Sequence, residues 1–216
     1  MKKQLEIFDS ELNIIRQAKD THSVILMGSV AYGLATEDSD LDILVLCDKD
    51  EFVTKTVNGI LVEIHYQRYK TLRKKLETNP MDVYKYIYSK IIFDDGKFAK
   101  LFNEAMDIYN NYVTPEDEKE NIIYWLSSTK IKLLSAIKSN DIAKASFLVA
   151  TNTWKVLEGV WAINNKPMPP SSLAYNTYEK LNFPLKNWFD NLFIGDTFSR
   201  ARTMITMIDL IINLKR

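Results

Sequence analysis

At 216 residues, with 46% hydrophobic and 12% aromatic side chains, the chain has enough apolar material for one large packed core or two small ones. Its 28 basic residues are balanced by 28 acidic ones, which removes the global attraction expected of a dedicated nucleic-acid or membrane-surface binder and leaves only a local basic pocket open. The single cysteine, Cys47, excludes an intramolecular disulfide or a multi-cysteine zinc site, and no apolar run approaches the roughly 20 residues that span a bilayer, so a soluble, cytoplasmic protein is expected.

Taken in chain order, Leu5, Phe8, Leu12 and Ile15 recur at helical spacing within residues 5–18, and Val24 to Met27 reads as a buried strand ending at Gly28. The next strand is expected over Asp40 to Cys47. Phe52 to Val57 and Ile60 to Tyr66 are strand-like runs separated by Asn58-Gly59, the strongest short-range signal for a two-residue hairpin turn. A helix over 69–78, a strand at Lys90 to Phe93 and a helix reaching Tyr109 complete a mixed sheet with its covering helices.

Beyond Tyr112 the pattern is helical throughout. Thr114-Pro115-Glu116-Asp117 combines a capping hydroxyl, a first-turn proline and carboxylates suited to the positive end of a helix dipole. Its apolar stripe is Ile122, Leu126, Leu133 and Ile137, with Ile123 and Leu134 beside it. A second helix from Asp141 to Ile163 carries Ile142, Ala145, Leu148, Val149, Val156, Val160 and Trp161. Prolines 167, 169 and 170 end it; Ser171-Ser172 caps a short helix ending near Leu181, and a last helix opening at Gly195-Asp196 buries Phe198, Ala201, Ile205, Ile208 and Ile212. The fold expected is α+β: a mixed-sheet domain over residues 1–112 and a helical bundle over 113–216.

The chemistry is concentrated between Leu26 and Leu46. A glycine at position 28 lets a phosphate approach the backbone, and amides of a helix starting near Ser29 would point at it. Asp40 and Asp42, two apart on a strand, leave from one face, while Leu41, Ile43 and Val45 take the other. An isolated Asp-Leu-Asp usually marks a solvated strand start. Here the strand continues through Ile43, Leu44, Val45 and Leu46, so it is expected at the sheet centre, where like charges are costly without a cation. Glu63, among Leu61, Val62 and Ile64, is a third acid inside an apolar strand and converges on the first two if the strands are neighbours. Three carboxylates holding two Mg2+ ions, with triphosphate oxygens completing the shells, meet the needs of in-line nucleotidyl transfer.

The pattern apolar-Gly-Ser, ten residues, Asp-apolar-Asp, then an acid on a later strand resembles the DNA polymerase β-type nucleotidyltransferase superfamily, in particular its small bacterial aminoglycoside and lincosamide members. The likeness spans about residues 20–105, including Ser39-Asp40 and the strand-Asp-Gly-helix element Ile91 to Gly96. It implies that Gly28, Ser29 and Ser39 serve the nucleotide, that Asp40 and Asp42 ligate both metals, and that Glu63 holds the catalytic metal and helps activate the acceptor hydroxyl. Two departures stand out: Val30-Ala31-Tyr32 lacks the arginine many members carry after Gly-Ser, and Glu63 replaces a common aspartate.

The reading that follows is an enzyme moving a nucleoside monophosphate, AMP from ATP, to a hydroxyl of a small molecule such as an aminoglycoside-type antibiotic, which would link it to antibiotic resistance. The helical half would form the acceptor cleft and, by analogy with small relatives, can supply a homodimer interface. The alternatives are a protein adenylyltransferase of antitoxin type and a nucleotide-binding module without catalysis. A nucleic-acid partner or a membrane is not expected. His65, on the face of Glu63, is weighed as a packed strand-end histidine or a border of the site; His22 as a surface residue; Arg73-Lys74-Lys75 as a solvated helix face. Tyr124, Tyr175 and the four tryptophans are assigned mainly to the bundle core.

Overall fold

The computed structural model describes residues 2–214; residues 1, 215 and 216, at the outer ends of the two expected domains, lie outside the described residues. Two compact units divide between Asn111 and Tyr112.

In the first unit, α1 (Lys2–Ile15) precedes β1 (Ser23–Met27), α2 (Gly28–Tyr32), β2 (Leu41–Leu46), β3 (Glu51–Val57), β4 (Ile60–Gln67), α3 (Tyr69–Thr78), α4 (Val83–Ile87), β5 (Lys90–Asp94) and α5 (Lys97–Asn111). The strand order is β3-β4-β2-β1-β5, so β2 lies in the middle as its apolar flanks require. Only the β2–β4 pair is parallel, and the sheet is mixed. Asn58 and Gly59 both take positive φ, 51° and 80°, the conformation of a tight primed turn whose twist matches the strands it joins. Leu41, Ile43 and Val45 pack with Ile7, Phe8 and Ile15 of α1 on one face; by alternation Asp42, Leu44 and Leu46 take the other.

The buried face of α1 differs from the apolar spacing. Leu5 is exposed, whereas Gln4 and Glu11 are buried. Each has partners: the Gln4 amide nitrogen donates to the carbonyls of Thr36, Glu37 and Ser39 at 2.9–3.1 Å, although its Oε1 has none, and Glu11 pairs with Lys55 at 2.7 Å. Polar groups with dedicated partners can occupy core positions that hydropathy assigns to apolar ones.

The second unit comprises α6 (Glu116–Lys138), α7 (Ile142–Ile163), α8 (Ser171–Thr177), α9 (Trp188–Phe193) and α10 (Thr197–Leu214). Asp141 caps α7 by accepting from the Lys144 amide, and Asp196 caps α10 from Phe198 and Ser199. Two expected caps do not form. Thr114 turns its hydroxyl to the Ala162 carbonyl and is buried there, leaving Pro115 as the uncapped residue before α6. Ser171 and Ser172 sit inside α8, with Pro170 before them and no side-chain cap.

The α7–α10 contact also shifts the stripe of α10 to Ala201, Met204, Met207, Ile208 and Ile211, with Phe198, Ile205 and Ile212 at its margin. Leu134 and Ile142 are exposed, and so are Tyr124, Trp125, Trp154 and Tyr175; of the four tryptophans, Trp161 and Trp188 are the core ones. No helix among the described residues is long and apolar enough to cross a membrane.

Gly159, in the middle of α7, is required by close packing: an added Cβ would lie 3.0 Å from Ile211 and 3.1 Å from Leu126. Gly159→Val adds two further methyls at this contact and should cost about 1–3 kcal/mol of stability. All four tryptophans lie in this unit, so urea unfolding followed by tryptophan fluorescence reads the loss directly; an unchanged midpoint would show that the helices separate freely.

Candidate active site

The sheet delivers the chain to Gly28 at the end of β1, where φ is 64°. Met27 pairs with Asp42 across the antiparallel β1–β2 ladder, and the Asp42 carboxylate lies directly against the next residue. A Cβ on Gly28 would sit 1.9 Å from Asp42 Oδ2, so glycine is demanded by backbone conformation and by space together. Ser29 follows in the first turn of α2. Its hydroxyl is buried and has no hydrogen-bond partner, an arrangement that is costly unless a ligand supplies one.

On the other side of Asp42, the parallel β2–β4 register sets it opposite Glu63. Two residues further, on the same face of β4, stands His65. Ligand atoms of Asp42, Glu63 and His65 all lie within 4.8 Å of one another. The Asp42 carboxyl is pushed up to about 6, chiefly by burial, then by the charges of Asp40 and Glu63 and by a hydrogen bond with Glu63. Acids so crowded repel one another until a cation or proton intervenes. The donor set fits a divalent cation with phosphate oxygens in its shell: carboxylates converge, an imidazole stands beside them, glycine leaves the approach open, and a serine hydroxyl lacks a partner.

Asp40 and Ser39 are positioned differently from the compact trio. Asp40 is exposed on the lead into β2; its charge reaches Asp42, but it is not among the three residues whose ligand atoms gather within 4.8 Å. The Ser39 hydroxyl accepts from the Thr36 amide at 2.8 Å and meets the Thr36 hydroxyl at 3.1 Å, closing the turn that Gln4 holds from α1. Asp94, in the strand-Asp-Gly-helix element, caps α5 by accepting from Phe98 and Ala99 and also takes the Ser23 hydroxyl at 2.5 Å. Burial would raise its pKa, and these bonds outweigh that to hold it low.

One feature was not legible from the motif. Tyr32, where an arginine is common, is half-buried, its phenol raised by burial and then by the Asp42 charge; it meets Tyr88 edge-on at 5.9 Å, and Tyr88 stacks on Tyr84. The one sequence signal for Tyr32 is its place three residues beyond Ser29. His65 enters the acid cluster, which its spacing from Glu63 already allowed. His22 is not a free surface residue: Asp95 at 3.0 Å, Asp48 at 3.3 Å and Lys97 at 3.0 Å surround it. Arg73, Lys74 and Lys75 are exposed, as expected for a solvated helix face.

The family described as "Nucleotidyltransferase domain" matches residues 9–124. No curated protein matches the sequence significantly. Among solved structures, a nucleotidyltransferase-like protein from Exiguobacterium sibiricum 255-15 is 12% identical, with a TM-score of 0.47 over 92% of this chain and 71% of that one. Spectinomycin adenyltransferase AAD(9) from Enterococcus faecialis, solved with ATP and spectinomycin, is also 12% identical, with a TM-score of 0.32 over 97% of this chain and 99% of that one.

The raised Asp42 carboxyl carries a stability consequence. Between its ordinary 3.8 and about 6, the unfolded chain releases this proton while the folded chain retains it, so this group lowers stability progressively as pH rises through that window. In chelator-treated protein, Asp42→Asn should therefore raise the melting temperature by about a few degrees above pH 6. The gain should shrink to nothing below pH 4; a gain independent of pH would contradict the assignment.

Proposed function

The chain belongs to the nucleotidyltransferase-domain family and is therefore a transferase; from that premise we propose that it moves AMP from ATP to a hydroxyl group of a small molecule, in a reaction dependent on Mg2+. The observation that carries the reading is the convergence of Asp42 and Glu63 beside the Gly28-Ser29 turn, where Gly28 has no room for a side chain and the Ser29 hydroxyl has no partner.

Asp40, Asp42 and Glu63 would hold two Mg2+ ions, which when bound lower the pKa of an attacking hydroxyl and neutralise charge on the triphosphate. The Gly28 backbone leaves the phosphates free to approach, and the Ser29 hydroxyl donates to a phosphate oxygen. Asp40, on the exposed lead into β2 with its charge felt by Asp42, would complete the acid set. Glu63 accepts the proton of the acceptor hydroxyl. The acceptor oxygen then forms a bond to the α-phosphorus in line with the breaking bond to pyrophosphate. The products are the adenylylated acceptor and pyrophosphate, with the proton left on the carboxylate before release to water. Ser39 acts on the nucleotide through the turn that it closes with Thr36.

The acceptor falls to the helical unit. Within it, a cavity of about 650 Å³ is lined by Trp154, Leu157, Tyr175, Phe189 and Phe193 on the apolar side and by Thr153, Ser171 and Asp190 on the polar side. Its size and exposed rings suit a compact cyclic molecule bearing hydroxyl and amino groups, aminoglycoside-type antibiotics among them.

Pyrophosphate release from MgATP should depend on an added acceptor from a panel of hydroxylated antibiotics and metabolites. Asp42→Asn and Glu63→Gln should each lower kcat/KM by about 10³-fold or more, the scale of losing a group that stabilises transition-state charge. Equal release with and without every acceptor, or full turnover by Asp42→Asn, would refute the reading.

A further inference from the structure

Glu63 and His65 occupy successive positions on one face of β4, and the parallel register sets Asp42 against Glu63 on that same face. The imidazole is not a core residue. Its side chain is 32% exposed and that of Glu63 28%, while Phe52, the ring against it, is exposed on the outer hairpin strand. The two rings lie 4.6 Å apart and tilted by 34°, so Phe52 covers one face of the imidazole. The Nε2 atom points to Glu63 Oε2 at 3.9 Å, too far for a hydrogen bond. A ring nitrogen is thus aimed into a carboxylate pair without bonding either member, which simple packing on Phe52 does not require.

We propose that His65 is a nitrogen ligand of the divalent-metal site formed with Asp42 and Glu63, and that it raises the affinity of this site for first-row transition ions, Mn2+ included, relative to Mg2+. The inference rests on the nucleotidyl-transfer reading for the presence of a metal and goes beyond it in the identity of one ligand and the choice of ion. Carboxylate oxygen suits hard ions, Mg2+ and Mn2+ among them; an added imidazole contributes little for Mg2+ and more for first-row transition ions, with Mn2+ at the weak end of that series. A ring clamped on Phe52 loses less freedom on ligation than a mobile one, which favours binding further.

The test uses the full chain, with each metal alone and with a non-hydrolysable ATP analogue. In the wild-type protein loaded with Mn2+, electron spin-echo modulation should carry the coupling of a directly bound histidine nitrogen, and His65→Gln should abolish it. Titration should find Mn2+ binding weakened by about tenfold or more in His65→Gln, with Mg2+ binding changed less than about threefold. If His65→Gln misfolds, the nitrogen coupling in the wild type still decides the matter. Absence of that coupling, with Mn2+ bound and lost in Asp42→Asn, would overturn the role of His65 and leave the proposed function intact. Failure of the wild type to bind either ion, with or without the nucleotide analogue, would overturn both.

Discussion

Asp42 lies so close to Gly28 that no side chain fits between them: an added Cβ would approach the carboxylate oxygen to 1.9 Å. The contact joins the end of β1 to the second residue of β2, and the antiparallel register that pairs Met27 with Asp42 enforces it. Because β2 is the middle strand, its other edge brings Glu63 against the same carboxylate. Acid crowding and a raised Asp42 pKa then share one small volume, and the residue after Gly28 is Ser29 with its unpartnered hydroxyl. Each is unfavourable in the protein alone, and each would be relieved by the cation and phosphate of the proposed reaction.

The hairpin between β3 and β4 protects that geometry. A slip of one residue along β4 would send Glu63 and His65 to the α1 face and bring Val62 and Ile64 to the acid side. The Asn58-Gly59 turn opposes a slip from one end. The Glu11–Lys55 ion pair, between α1 and β3, opposes it from the core side. Gln4 performs a similar service for the approach to β2, since its amide holds three carbonyls of the turn just before Asp40.

The helical unit combines a tightly packed centre with several exposed aromatic rings. Gly159 lets α7 meet both α6 and α10 at close range, and Trp161 fills the adjoining core. Meanwhile Trp154, Tyr175 and Phe193 remain exposed around one cavity. Folding gains nothing from rings left in water, and the acceptor proposed above would cover them.

Much of this was legible in the residues. Apolar alternation and the Asn58-Gly59 pair mark the strands and their hairpin because a strand buried on both sides and a turn with two positive φ angles tolerate few other residues. Gly28-Ser29, Asp40, Asp42 and Glu63 stand out for the same reason, as polar or side-chain-free positions within apolar strands or at their ends. What spacing along one strand could not determine was distance across the sheet. Only the assembled register distinguishes Asp42, drawn into the trio, from Asp40, left on an exposed lead-in, and brings His65 into contact with the acids. The helical stripes shifted for a related cause: periodicity identifies an apolar face, but which part of it is buried depends on the helices packed against it, and Thr114, Leu134, Ile142 and Trp154 were each settled by those neighbours.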